Sequence, residues 1–252
     1  MNLNKEQLIQ SIFYPRISSE PADEKDLLIP VDTSTNIGVR LFINNINSPN
    51  IIYFHANAEL TKEYDGHADY YNHYGINLIV CGYRGYGLSN GSPSKDHLQS
   101  DSLTIFKYLK KYLRDNKFTG TSIVMGRSLG SAAAAHIIHN LNEDIDGCII
   151  ESGFATETPL LNLMGINPKD IDYKLQDGFE NLKKFKNYTK PLLVIHSDLD
   201  EIIPFSQADM IMIECLSETK KLFRVEGAGH NDIIAVARDH YFSNIRDFIE
   251  EL

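Results

Sequence analysis

Ile123-Val124-Met125-Gly126-Arg127-Ser128-Leu129-Gly130-Ser131-Ala132-Ala133-Ala134-Ala135 is the stretch whose reading decides the fold. An apolar, β-rich run enters a Gly-x-Ser-x-Gly pentapeptide and leaves through consecutive alanines, which are strong helix formers. That is the strand-turn-helix context of a nucleophile elbow, where a serine sits on a sharp bend with its hydroxyl exposed. Gly126 and Gly130 flank Ser128 because strand and helix approach closely there, and a β-carbon would collide with neighbouring backbone. A pattern this short also arises in unrelated chains, and Ser128 could instead cap the helix that begins near Leu129. The rest of the chain has to supply a base, an acid and an oxyanion hole in the right order.

Outward from the elbow, apolar strands alternate with helical segments. The patterning predicts strands at 51–55, 76–81, 121–126, 146–151, 190–196 and 219–225, and helices near 60–73, 98–113, 129–141, 204–215 and 235–250. Continuously apolar strands in such alternation imply an α/β fold with a mostly parallel, doubly wound sheet buried on both faces. Ahead of it, residues 3–14 have modest helical character, and β-like runs at 27–31, 37–43 and 51–54 are joined by turn-rich pieces that suit antiparallel hairpins. Residues 155–189 break the rhythm, with Gly165, Pro168 and Gly178 as punctuation. This insertion reads as a small cap on the carboxyl side of a strand, where ligands of an open α/β sheet bind. With no internal repeat, residues 1–252 read as a single domain carrying that cap.

Two further segments bear on the chemistry. Asp200 follows the apolar run 191–196, within Ser197-Asp198-Leu199-Asp200-Glu201-Ile202-Ile203-Pro204. A carboxylate there can reach a histidine on the next loop. Asp198 and Glu201 are rivals by proximity, and Ile-Ile-Pro after Asp200 favours Asp200 by placing it at the loop's end. The bland alternative is a surface acid complementing the dipole of the helix that Pro204 starts. His230 stands in Glu226-Gly227-Ala228-Gly229-His230-Asn231-Asp232, after the final strand, where glycines let the loop carry an imidazole over the sheet edge. The order Ser128, Asp200, His230 is the one expected of this elbow type. The other histidines lack that context: His67, His73, His136 and His139 read as helix-face residues, and His196 reads as buried within a strand. In these roles His230 takes the serine proton and returns it to the leaving group, while Asp200 fixes the imidazole tautomer. The oxyanion calls for preorganised donors, for which the N–H groups of Leu129 and Asn57 are the candidates.

Composition excludes other classes. A formal net charge of -10, with no basic run, argues against nucleic acid as a partner. Cys81, Cys148 and Cys215 read as buried free thiols of a reducing compartment, and no Cys/His spacing suggests a metal. We expect no metal and no organic cofactor. The N-terminus lacks the pattern of a secretory signal, and no apolar run approaches the ~20 residues that span a bilayer, so a soluble cytoplasmic protein without stable membrane insertion is expected. The amphipathic spacing of residues 3–13 keeps surface association with a membrane as an alternative.

Four segments together resemble the α/β-hydrolases: His55-Ala56-Asn57-Ala58-Glu59, Tyr83-Arg84-Gly85-Tyr86-Gly87-Leu88-Ser89, Gly126-Arg127-Ser128-Leu129-Gly130 and Gly229-His230-Asn231-Asp232. They are most similar to the short-capped branch of serine hydrolases that includes protein depalmitoylases, lysophospholipase-like enzymes and serine aminopeptidase-type hydrolases. The resemblance implies that Ser128, Asp200 and His230 form a triad, that Asn57 and Leu129 donate to the oxyanion, and that the loop 83–89 supports the site. Ala56 departs from that branch, which usually has glycine there, and Cys81 stands where an acid is common. The implied activity is cleavage of a carboxylic ester or thioester, long-chain acyl substrates included, through an acyl-enzyme. Phe154, Leu160 and Met164 are the candidate acyl contacts, among apolar residues that would equally pack a cap onto the body. A serine peptidase of the same fold and a non-catalytic binding or scaffold member are the alternatives.

Overall fold

Strands that are apolar along their whole length need cover on both faces, and five such strands form the middle of the sheet. In the computed structural model, which describes residues 5–252, these are β3 (Asn50–Phe54), β4 (Asn77–Cys81), β5 (Ser122–Arg127), β6 (Gly147–Glu151) and β7 (Leu192–Ser197). Two strands precede them, β1 (Asp26–Pro30) and β2 (Asn36–Phe42), and the more exposed β8 (Lys220–Val225) closes the far edge. The eight run in the order β1-β2-β4-β3-β5-β6-β7-β8, with every pair from β4 to β8 parallel. β1 and β2 are antiparallel to their neighbours.

Alternation along each strand splits the core in two. Ile52, Phe54, Val124, Ile150 and Val194 point to one face, where α3 (Lys95–Asp115) and α4 (Gly130–Asn140) pack. Ile51, Tyr53, Ile123, Ile149 and Leu193 point to the other, against α2 (Asp65–His73) and α9 (Asp239–Glu250). Shorter helices complete the chain: α1 (Lys5–Gln10), α5 (Thr158–Leu163), α6 (Asn181–Lys186), α7 (Ser206–Glu214) and α8 (Ile233–Ala237).

Two expectations need correction. The β1–β2 hairpin forms, but β2 does not pair with β3: β4 lies between them, with Val39 opposite Cys81. β3 has both edges occupied by parallel neighbours, so the connection 43–49 has to cross the end of β4. Asn77 at the start of β4 fastens that crossing, accepting from the N–H groups of Asn44 and Asn45 at 2.7 and 3.1 Å and donating to Asn45 O at 2.8 Å. The irregular stretch between β6 and β7 is also narrower than 155–189. Its last part is α6, which packs on α4 and α7 with Phe185 in the core, so it covers the sheet. Cys81, Cys148 and Cys215 are free and buried. No helix among the described residues is long and apolar enough to cross a membrane.

Candidate active site

The turn from β5 to α4 fixes position 128. Ser128 has φ 51°, the left-handed region that side chains disfavour. Its N–H donates to Glu151 O at 2.9 Å, and its carbonyl accepts from Ser131 N and Oγ at 3.0 and 2.6 Å. The flanking glycines are sterically required: a β-carbon on Gly126 would lie 2.3 Å from Gly130 O, and one on Gly130 would lie 2.0 Å from Phe54 O. The capping alternative for Ser128 finds no support, because α4 starts without a side-chain cap and the Ser128 hydroxyl has another partner.

That partner is His230. Its Nε2 lies 3.1 Å from Ser128 Oγ, and its Nδ1 lies 2.8 Å from Asp200 Oδ2. All three residues are buried. Asp200 Oδ1 accepts from the N–H groups of Ile202 and Ile203 at 3.0 and 2.7 Å, which fixes the carboxylate. Burial pushes the Asp200 carboxyl up, but the His230 hydrogen bond and charge and the Ile203 N–H outweigh it and hold it below the usual range. The rivals have other employment. Asp198 binds Arg224 and the Gly227 N–H, at 3.1 and 2.8 Å. Glu201 accepts from the His230 N–H at 3.1 Å and so ties the two loops together. His196 is buried as expected and backs Asp200 from 3.5 Å, while its Nε2 bonds Ile203 O at 2.8 Å. Burial holds its imidazole below the usual range, which makes it a neutral donor to that carbonyl.

The loop after β3 brings Asn57 to the same pocket as Leu129. Neither N–H donates to a described residue, so both are free to meet an anion. The Asn57 side chain is occupied elsewhere: Nδ2 donates to Ile12 O at 2.6 Å, and Oδ1 accepts from Tyr14 N and the Tyr86 hydroxyl at 3.0 and 2.7 Å. The departure at Ala56 carries no strain. The positive φ of this loop falls on Ala58 at 61°, and the Ala56 N–H is held by Glu59 Oε2 at 2.8 Å. From the loop 83–89, the Tyr83 hydroxyl donates to His55 O at 2.6 Å and buttresses the turn.

A cavity of about 360 Å³ opens over Ser128, lined on its apolar side by Ile12, Leu160, Leu163 and Met164. Leu160 and Met164 are therefore at the site. Phe154 is not: it is fully buried in the core against Phe179, because the chain turns inward directly after β6. Ile12 and Tyr14 reach the cavity from the N-terminal segment, whose amphipathic spacing the sequence does not tie to the site. Arg127 directly precedes Ser128, and the sequence alone gives it no role. It forms ion pairs with Glu59 and, at 3.2 Å, with Glu151, and it donates to His230 O and Asn231 Oδ1, both at 3.0 Å. One guanidinium thus joins the loop after β3, β5, β6 and the loop that carries His230. Burial favours its neutral form, yet the two carboxylates overcome this and raise its pKa. Among the described residues, no group of three or more His, Cys, Asp or Glu side chains is arranged to hold a metal ion.

No protein-family model matches the sequence. The chain is 30% identical over 209 residues to the protein bem46 of Schizosaccharomyces pombe, covering 81% of this chain and 68% of that protein. It is 28% identical over 180 residues to the lysophosphatidylserine lipase ABHD12 of Rattus norvegicus, covering 63% of this chain and 43% of that longer protein. Among solved structures, the Pyrococcus furiosus esterase Pf2001 superposes with a TM-score of 0.74 over 95% of this chain and 97% of that one. At 15% identity, that likeness is one of fold.

Proposed function

The chain belongs to the α/β-hydrolase superfamily, and on that premise we propose that it is a cofactor-independent serine hydrolase that cleaves a carboxylic ester or thioester through an acyl-enzyme. One observation carries the reading: the continuous chain from Ser128 Oγ to His230 to Asp200, at 3.1 and 2.8 Å, mounted on a strained elbow. Serine is a weak nucleophile at its own pKa, so His230 Nε2 removes the proton as Oγ attacks the carbonyl. Asp200 holds the Nδ1–H tautomer and stabilises the imidazolium. The Asn57 and Leu129 N–H groups receive the oxyanion, an interaction worth ~3–4 kcal/mol per donor. His230 then protonates the leaving oxygen or sulfur, and water repeats the sequence on the acyl-enzyme.

The acyl group fits the apolar side of the cavity, against Ile12, Leu160, Leu163 and Met164. Residues 156–180, including α5, act as the small cap of a single domain that spans the chain. Three buried, unpaired cysteines suit a reducing compartment such as the cytoplasm.

The test is an acyl-ester series from acetyl to palmitoyl, with Ser128→Ala as control and a fluorophosphonate as active-site label. Turnover and labelling that both vanish in Ser128→Ala support the reading. Labelling of Ser128 without hydrolysis of any ester or thioester would move the assignment to a peptidase. No labelling at all would leave a binding or scaffold protein.

A further inference from the structure

A second and larger cavity, of about 760 Å³, lies beside the Ser128 pocket. Tyr64 and Tyr70, which pack on the buried rings of Tyr53 and Phe242, give it aromatic surface, and Ile234 adds aliphatic surface. The two cavities share Glu59, Arg127 and Asn231, and Asn231 directly follows His230. The apolar residues of the first cavity, Ile12, Leu160, Leu163 and Met164, take no part in lining the second. Arg127 pairs with Glu59 and donates to Asn231, so the three shared side chains form a ridge between the two compartments beside the histidine loop. An ester bound for attack straddles such a point, because its leaving oxygen must lie within hydrogen-bond reach of His230 Nε2 while its acyl chain runs the other way.

We propose that this second cavity holds the leaving-group half of the substrate, and that the group it takes is bulky, ring-bearing and neutral or cationic. The proposal rests on the serine-hydrolase reading above. Its volume is in the range that encloses a small organic molecule, and far beyond what a methyl or ethyl alcohol fills. Flat aromatic walls favour a ring in stacked or edge-on contact, and their electron-rich faces favour a cation. Glu59, Glu63, Glu151 and Asp239 stand around it against Arg127 and Arg238; Arg127 is shared between Glu59 and Glu151, and Arg16 pairs with Glu63 at 2.9 Å, which leaves the carboxylates in excess by one. An anionic leaving group meets an unfavourable field there.

The experiment holds the acyl group constant as butyrate and varies the alcohol: ethyl, benzyl, 4-(trimethylammoniomethyl)benzyl and 4-carboxybenzyl. In the wild type we expect kcat/KM for the benzyl ester to exceed that for the ethyl ester by about 10-fold, a cationic ring ester to match or exceed the benzyl ester, and the carboxybenzyl ester to fall about 10-fold below it. Ile234→Trp fills the cavity and should lower the benzyl-to-ethyl ratio by about 10-fold. Tyr70→Ala, at a wall residue that is 53% exposed, should lower the same ratio about 3-fold. Thermal unfolding of both variants identifies any that fail to fold. A ratio unchanged in the folded variants, or a carboxybenzyl ester equal to the benzyl ester, overturns the leaving-group assignment while leaving the serine hydrolase intact. Failure of the wild type to cleave any of the four esters while Ser128 still takes a fluorophosphonate would overturn the leaving-group assignment alone, and failure of both cleavage and labelling would take both readings down together.

Discussion

Ser128 holds φ 51°, a conformation that costs a residue with a β-carbon of order 1 kcal/mol or more and that glycine adopts freely. Ser128→Gly should therefore raise the free energy of unfolding by ~1 kcal/mol while abolishing turnover, which would mark the elbow as strain kept for chemistry. Urea unfolding with a parallel assay checks this, and a destabilised glycine variant would show that the bend carries no strain. Asp200 makes a second prediction. Its folded-state carboxyl lies below its ordinary pKa, so the stability it contributes is fully present above the unfolded value near ~3.9 and is lost as pH falls through the native one. Asp200→Asn should remove that acid-side loss and cut kcat by ~10⁴-fold, whereas Asp198→Asn should leave kcat near that of the wild type. The reverse pattern would make Asp198 the acid. At this scale legibility followed local context. Ser128, Asp200 and His230 each sit in a short segment whose neighbours announce them. Arg127 does not, because its partners Glu59, Glu151 and Asn231 lie on three other segments that meet only in the folded chain. Phe154 misled for a similar reason, since apolar character alone does not say which side of the insertion faces the cavity.

The strands were legible because five of them are apolar throughout, and only burial on both faces explains that pattern. Their order was less so. A short turn-rich link suggests a hairpin, and what places β4 between β2 and β3 is a set of pairings distant in sequence, secured by Asn77. α6 was hidden in the supposed insertion by its lysines, Lys183, Lys184 and Lys186, which mask the core contact of Phe185. One of those lysines is itself informative. Lys184 is only 6% exposed and donates to Phe179 O at 2.6 Å, and burial pushes its pKa down to about 8. For a base lowered on folding, the unfolded chain binds more protons between the two pKa values, so this group adds stability as pH rises from about 8 towards 10.5. Relative to Lys184→Met, the wild type should gain roughly 2–3 kcal/mol between pH 7.5 and pH 10 in urea unfolding. Parallel pH curves for the two proteins would mean that the ammonium is as well solvated in α6 as in the unfolded chain.

On the scale of the whole molecule, parallel strands gather the site at one edge. Ser128 follows β5, Asp200 follows β7 and His230 follows β8, so three loops far apart in sequence converge where ligands of an open α/β sheet bind. This convergence is the part of the fold that a chain order of serine, acid and histidine discloses in advance. The surrounding field is also a property of the whole chain, with a formal net charge of -10. At ~0.01 M ionic strength the screening length is ~30 Å, comparable to the protein, and at ~0.15 M it shrinks to ~8 Å. An anionic substrate therefore approaches against repulsion at low salt and is released from it at high salt, while a neutral one is indifferent. For matched neutral and monoanionic acyl esters, kcat/KM should stay level for the first and rise roughly 2- to 5-fold for the second between those salt concentrations. A value that instead falls with salt for the anionic ester would show that a local field at the mouth overrides the net charge and steers anions in.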